Sequence, residues 1–291
     1  MDRDPGYVLS EIRKNFDSLN WWRNRVFVPF VIGTATEIHP DYPGYDDAIR
    51  VMEEDWDTLV VLDACRADFF EEVADLTQFD EYERVVSLGS HSSEWTRRNF
   101  SGREFSDTVY VSANPHTSLK AGDAFHKIVE LWETDTDEEA GVVFPDVVQK
   151  TAVDTHEKFP NKRLVIHFMQ PHGPFISSDS SKSKDGAEYK TSEEYWQDYE
   201  NTLEYVLPFA LAIADTISGR TVITADHGQI FPMGYKQWLG LYSHPPRLRI
   251  PALVTVPWAV MEGRRRRIQS GTITEANGED VEDRLRQFGY R

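Results

Sequence analysis

Short runs of β-branched and aliphatic residues recur along the chain. They are Thr58–Asp63 (TLVVLD), Arg84–Leu88 (RVVSL), Thr108–Ser112 (TVYVS), Arg163–Phe168 (RLVIHF), Arg220–Ala225 (RTVITA) and Ala252–Val256 (ALVTV). Most are apolar throughout rather than alternating, as strands buried on both faces are. Longer helix-like stretches separate them: Ala67–Ala74, Leu119–Trp132, Val147–Phe159 and Glu193–Thr216. This alternation predicts an α/β fold, a central mostly parallel sheet sandwiched by helices. No internal repeat is visible. Ser177–Lys190 (SSDSSKSKDGAEYK) is polar and predicts a long mobile loop. Residues 1–50 precede the first core strand as an N-terminal extension, expected to be a helical docking segment. Residues 51–291 form the main domain.

Composition narrows the function classes. The chain of 291 residues is 40% hydrophobic, with 8 Trp, 12 Tyr and 16 Phe, too rich in aromatics for a disordered chain. It has 49 acidic against 31 basic residues, a net charge of −18, which disfavours nucleic acid as a partner. Arg outnumbers Lys, and such acidic, Lys-poor chains resemble proteins of salt-saturated cytoplasm, where salt screens self-repulsion. The single cysteine, Cys65, excludes an intramolecular disulfide. The N-terminus lacks the basic-then-apolar pattern of a signal peptide. Trp21–Gly33 (WWRNRVFVPFVIG) is the one membrane suspect. Arg23 and Arg25 interrupt it, and it falls short of the roughly 20 residues a spanning helix needs. Membrane contact through residues 21–33 is therefore peripheral at most, and a cytoplasmic protein is expected.

Ligands of open α/β sheets bind beyond the carboxyl ends of the strands. The first strand ends in Asp63, which suits a hard cation or, equally, a helix N-cap. Arg220–Ala225 runs into Asp226, His227 and Gly228, a carboxylate–imidazole pair suited to Zn²⁺ or Mn²⁺. A buried Asp–His hydrogen bond explains that pair as well. Arg163–Phe168 leads into MQPHGP, where two prolines and a glycine stiffen a loop presenting His172. His167, inside the apolar strand, reads as a satisfied core histidine. After Leu88, the stretch GSHSSEWTRR holds several hydroxyls at a helix start, where the dipole favours an anion or a simple N-cap. His244 lies in a proline-rich loop before the last strand. The basic run Arg264–Arg267 reads as a solvated face.

Together these segments resemble the alkaline-phosphatase superfamily, in particular its sulfatase-like branch and a haloarchaeal-type member of it. VVLDACRADFF is similar to the family's first metal motif, and HFMQPHGPF to its Pro-His-x-Pro loop. VITADHGQ is similar to the second metal motif, YSHPPRLRIPALVTVP to the late histidine segment and VEDRLRQFGY to the closing helix. The resemblance spans roughly residues 56–291 and makes 51–291 a sulfatase-like catalytic domain. It implies Asp63, Asp226 and His227 as metal ligands, and His172 as a group on the substrate's oxygens or leaving group. The nucleophile stretch, SSEWTRRNFSG, lacks the Cys/Ser-x-Pro-x-Arg of formylglycine sulfatases and resembles relatives reading Trp-Thr. That implies Thr96 as nucleophile and metal ligand, with Ser93 as the alternative.

The resemblance thus implies a metal-dependent hydrolase or transferase of phosphate esters, less so sulfate esters. One ion of Mn²⁺, Zn²⁺ or Ca²⁺ is expected, with His244 available for a second ion or for substrate. Arg66, Arg97 or Arg98 would grip the substrate anion. The substrate would be a small-molecule or a glycan- or lipid-linked anionic ester. A sulfatase of sulfated glycans and a non-catalytic member in surface-glycan assembly are the alternatives.

Overall fold

The computed structural model describes residues 5–177, 180–184, 191–230 and 243–274. The extension is helical: α1 (Pro5–Asn15), α2 (Leu19–Trp22), a wide π-helical stretch (Arg23–Ile32) containing Pro29, and α3 (Gly33–Glu37). The main domain then runs β1 (Thr58–Leu62), α4 (Ala67–Val73), β2 (Glu81–Val86), α5 (Ser92–Phe100), β3 (Phe105–Ser112), α6 (His116–Ala121), β4 (Phe125–Glu130), α7 (Leu131–Thr134), α8 (Pro145–Lys158) and β5 (Arg163–Phe168). A small hairpin of β6 (Phe175–Ser177) and β7 (Ser180–Lys184) follows, then α9 (Ser192–Thr216), β8 (Thr221–Thr224), a helical turn at Pro251–Val254 and β9 (Thr255–Met261).

Seven strands form one sheet in the order β2-β9-β8-β1-β5-β3-β4. Only β9 is reversed, pairing antiparallel with both β2 and β8, whereas β8, β1, β5, β3 and β4 pair in parallel. The central strand β1 is buried along its whole length, because helices cover both faces, and its sequence TLVVL has no polar face to offer. On α5, Trp95 and Phe100 pack edge-on to one another, and Phe100 meets Tyr110 and Phe125 of the sheet. The α/β expectation holds: the sheet is mostly parallel and sandwiched by helices.

Three element expectations change. Leu119–Trp132 was expected to be helical throughout, but the chain leaves α6 at Gly122 and forms the edge strand β4 in parallel with β3. Phe125 seats that strand by stacking on Phe105 and meeting Tyr110 edge-on, tertiary contacts that override local propensity. Ala252–Val256 was expected as a strand. Pro251, with its fixed φ, starts a helical turn in which Leu253 N–H and Val254 N–H donate to Ile250 O, and the strand begins at Thr255. The expected loop 177–190 contains the end of β6 and β7, with 178–179, 185–190 and the expected closing helix outside the described residues.

The run Arg264–Arg267 is not simply a solvated face. Arg265 Nε donates to the buried Asp57 at 2.6 Å, and Arg266 donates to Thr58 Oγ1 at 3.0 Å. Both tie the descending chain to the amino end of β1, the end of the sheet opposite the candidate site.

Candidate metal centre and nucleophile

Because β1, β3, β5 and β8 run the same way, the residues that follow them meet at one edge. Asp63 follows β1, Asn114 follows β3 and Asp226–His227 follow β8, while Ser92 is the first residue of α5. All five are fully or almost fully buried. One ligand atom each from Asp63, Asp226 and His227 lies within 4.8 Å of the others. His227 Nε2 is 3.5 Å from Asp63 Oδ1 and 3.4 Å from Asp226 Oδ2. Ser92 Oγ sits among them, 3.3 Å from Asp63 Oδ2 and 3.1 Å from His227 Nε2. Asn114 Nδ2 donates to Asp63 Oδ2 at 2.6 Å and so orients that carboxylate.

The backbone builds this geometry. Ala64 adopts a left-handed conformation (φ 60°), costly for a residue with a Cβ. Two contacts hold it: its N–H donates to Asp226 Oδ1 at 3.1 Å and its carbonyl accepts from Tyr199 OH at 2.8 Å. Gly228 is required for proximity rather than for an unusual φ, since a Cβ there would lie 2.2 Å from Ala252 O. His227 Nδ1 lies 2.7 Å from Gly228 O, which can only accept, so Nδ1 carries the proton. The Nε2 lone pair is thereby left facing the carboxylates, the tautomer a metal ligand needs.

The electrostatics fit a cation. Among the described residues, neither Asp226 Oδ2 nor His167 Nε2, both buried, has a hydrogen-bond partner. His167 Nε2 lies 3.8 Å from both Asp63 Oδ2 and Asp226 Oδ2, and its Nδ1 pairs with Tyr110 OH at 2.8 Å. Burial would raise the Asp226 pKa, but His227, His167, the Ala64 N–H and Ser92 together bring it below the ordinary value. Burial pushes His167 down to about 4. It pushes His116 down to about 3, helped by Lys120. His91 and His244 are held well below the usual imidazole range, first by burial and then by neighbouring rings and charges. These imidazoles are therefore neutral at pH 7, with lone pairs available as ligands. Buried carboxylates are costly unless paired or metal-bound, and the Asp/Asp/His donor set suits Zn²⁺ or Mn²⁺.

A histidine-lined mouth lies over this cluster. His172 and His244 meet Nε2 to Nε2 at 2.7 Å, so one donates to the other. His91 lies against His244 (ring centroids 4.8 Å) and His116 (5.2 Å), and His244 against His227 (4.7 Å). The His172 N–H donates to Asp63 O, tying its loop to the end of β1. The His244 loop is pinned to the start of α5: Ser90 Oγ donates to Pro245 O, and the buried Glu94 carboxylate accepts from Arg247 N–H at 3.0 Å.

The structure brings Asp63, Asp226, His227, His172 and His244 together at this edge. It does not bring Thr96 to the cluster. Thr96 lies one turn beyond Ser92 on α5, fully buried, its hydroxyl without a hydrogen-bond partner among the described residues. Ser93, partly exposed, donates its N–H to His91 Nδ1 and makes no described contact with the carboxylates. The three arginines are engaged elsewhere or exposed. Arg66 pairs with Asp68 at 2.8 Å, Arg98 with Glu94 at 2.9 Å, and Arg97 is exposed.

Sequence reasoning passed over Ser92, Asn114, His91 and His116, and took His167 for a plain core residue. Ser92 was detectable as the first residue of a helix capped by His91. Asn114 and His116 stand directly after a strand end, the position already searched at the other strands.

No protein-family model matches the sequence, and no curated protein does. Solved structures do match. The soluble domain of lipooligosaccharide phosphoethanolamine transferase A from Neisseria meningitidis aligns over 71% of this chain and 76% of its own, with 14% identity and a TM-score of 0.52. The integral membrane form of that transferase aligns over 89% of this chain, also at 14% identity and a TM-score of 0.52. This chain spans 55% of its length. A protein in the alkaline phosphatase superfamily from Vibrio parahaemolyticus aligns over 84% of this chain and 70% of its own, at 13% identity and a TM-score of 0.45. At these identities the likeness is one of fold.

Proposed function

We propose that the protein is a divalent-cation-dependent phosphoester hydrolase or transferase with Ser92 as its nucleophile. The observation that carries this is the Ser92 hydroxyl, 3.1 Å from His227 Nε2 and 3.3 Å from Asp63 Oδ2 at the amino end of α5. The helix dipole there favours an oxyanion and binds anionic oxygens. Asp63, Asp226 and His227 would hold the cation, which supplies positive charge to clamp the ester oxygens and to lower the pKa of a nearby hydroxyl.

The chain's own groups do the rest. Asn114 holds Asp63 in place, and the Gly228 carbonyl holds His227 in its ligand tautomer. Ser92 Oγ attacks the phosphorus in line, its proton passing to Asp63 Oδ2, which it faces at 3.3 Å; the new O–P bond forms as the ester P–O bond breaks. The partly exposed His172, paired with the buried His244, faces the leaving oxygen, which departs as an oxyanion and takes its proton from water. Water or an acceptor hydroxyl then releases the phosphoryl group from Ser92.

Phosphate is favoured over sulfate at this residue. Counting from Ser92, the positions that would be Pro and Arg in a formylglycine motif are Glu94 and Thr96. The fold shared with phosphoethanolamine transferases motivates a phosphodiester among the test substrates, and the acidic, Lys-poor composition motivates a high-salt assay.

The test is turnover of a chromogenic phosphate monoester, phosphodiester and sulfate ester with Mn²⁺ or Zn²⁺. Ser92→Ala should abolish metal-dependent phosphoester turnover while cation binding persists, and Thr96→Ala should retain turnover. Activity surviving in Ser92→Ala but lost in Thr96→Ala would reverse the assignment. Preferred turnover of the sulfate ester would move the enzyme to the sulfatase reading.

A further inference from the structure

Among the described residues, all seven exposed large apolar side chains lie between Leu9 and Ile38, and none lies in the main domain. Phe16, Leu19 and Ile38 are 70%, 86% and 76% exposed. Such concentration is unlike the scattered single apolar residues of an ordinary surface and marks an interaction site. The same segment already has a buried face. Val28 and Ile32 pack with Ile230, Leu248, Leu253 and Val254, and Thr36 Oγ1 accepts from Arg249 N–H. Its outward apolar side chains are therefore left over after docking onto the protein.

The charge of the segment identifies what covers it. Over residues 9–38, four cations (Arg13, Lys14, Arg23 and Arg25) stand against three acids (Glu11, Asp17 and Glu37), whereas the whole chain carries −18. Trp21 and Trp22 sit edge-to-face within it, 5.1 Å apart. A helical segment with exposed aromatic and aliphatic residues, flanking Trp and a local excess of Arg and Lys suits the headgroup zone of an anionic bilayer. No helix among the described residues is long and apolar enough to cross a membrane, so the contact is interfacial.

The geometry points to residues 9–38 as a docking surface for an anionic lipid bilayer. A second copy of this chain would match the apolar side chains but would bring its own cations against these. The segment's inner face rests on the loop that carries His244: Gly33 approaches Arg247 O, and the Arg247 guanidinium lies 4.9 Å over the Phe30 ring. Docking would therefore hold the His244 loop near the lipid surface. The inference does not depend on which ester the site takes.

The full chain is tested by co-sedimentation with phosphatidylcholine vesicles with and without phosphatidylglycerol. Binding to the anionic vesicles is expected, weakening as salt is raised. The double variant Leu19→Ser/Phe27→Ser, with its unfolding midpoint retained, should bind roughly tenfold or more weakly. Arg23→Gln/Arg25→Gln should lose mainly the preference for anionic lipid. Absent binding, equal binding to uncharged vesicles, or binding unaffected by both variants would overturn the proposal. So would a dimer in sedimentation velocity that Leu19→Ser/Phe27→Ser disperses, since that result assigns the surface to a second copy.

Discussion

Tyr199 on α9 never touches the candidate nucleophile, yet its hydroxyl should govern both stability and the metal cluster. It is fully buried, donates to Ala64 O at 2.8 Å and accepts from Arg66 N–H at 3.0 Å. These bonds flank the left-handed Ala64, whose N–H holds Asp226 and whose neighbour is Asp63. Tyr199→Phe removes one oxygen, creates almost no cavity and strips Ala64 O and Arg66 N–H of that partner. A buried polar group deprived of its partner costs about 1–3 kcal/mol, and Arg66 N–H is only partly buried, so the sum is about 2–3 kcal/mol. For a chain of this size, with an unfolding entropy of about 2.1 cal/mol/K per residue, that is a fall of roughly 3–5 °C in Tm. Differential scanning calorimetry without metal reads it, and titration calorimetry with Mn²⁺ should show weakened binding. Tyr82→Phe is the control, because among the described residues the Tyr82 hydroxyl bonds only the Glu71 carboxylate, in a partly exposed setting. An unchanged Tm in Tyr199→Phe would refute the reasoning that this hydroxyl holds the Asp63–Ala64 turn.

Three further outcomes follow from the same geometry. Asp226→Asn should leave the metal-free Tm close to wild type, since an amide can keep the Oδ1 bonds from Ala64 and His227. It should erase the metal-induced gain, which for wild type is about 2.7 kcal/mol at a cation concentration of 100 Kd. A gain that persists would remove Asp226 from the ligand set. Gly228→Ala places a Cβ 2.2 Å from Ala252 O and should cost about 1–3 kcal/mol in urea unfolding, with metal affinity reduced through the adjacent His227. Wild-type stability in that variant would contradict the close approach. Glu94 is buried, yet Arg98, the Tyr45 hydroxyl and Arg247 N–H outweigh that burial and lower its pKa beneath the ordinary 4.5. A depressed carboxylate stabilises the fold above its unfolded pKa and loses that contribution as pH falls through the folded one. The stability gap between wild type and Glu94→Gln should therefore be full at pH 7 and narrow below pH 4.5; a gap that stays constant on acidification would show the carboxylate charge is not the cause.

The apolar runs in the sequence were enough for the parallel core strands, because only a strand covered on both faces is apolar at every position, as in TLVVL and RLVIHF. Asp63, Asp226, His227 and His172 were legible because each stands where a strand ends, and parallel strands bring their carboxyl ends to one edge. The edge strand β4 and the helical turn at Pro251 were not legible. Edge strands borrow stability from a neighbour, here β3 through Phe125, and leave only a weak periodic signal of their own.

The choice of hydroxyl was decided by the tertiary structure alone. Ser92 and Thr96 lie on one helix four residues apart, and both are fully buried. The sequence motif pointed to Thr96, with Ser93 as the alternative, and passed over Ser92. Only the direction in which α5 starts, set by His91 as its cap and by Gly89 packed against Trp95, turns the first residue toward Asp63 and His227. The sequence by itself determined which chemistry-bearing residues follow the strands and that they would gather at one edge of the sheet. The close packing of three loops and one helix end decided which hydroxyl meets the carboxylates, because that depends on distances between segments far apart in the chain.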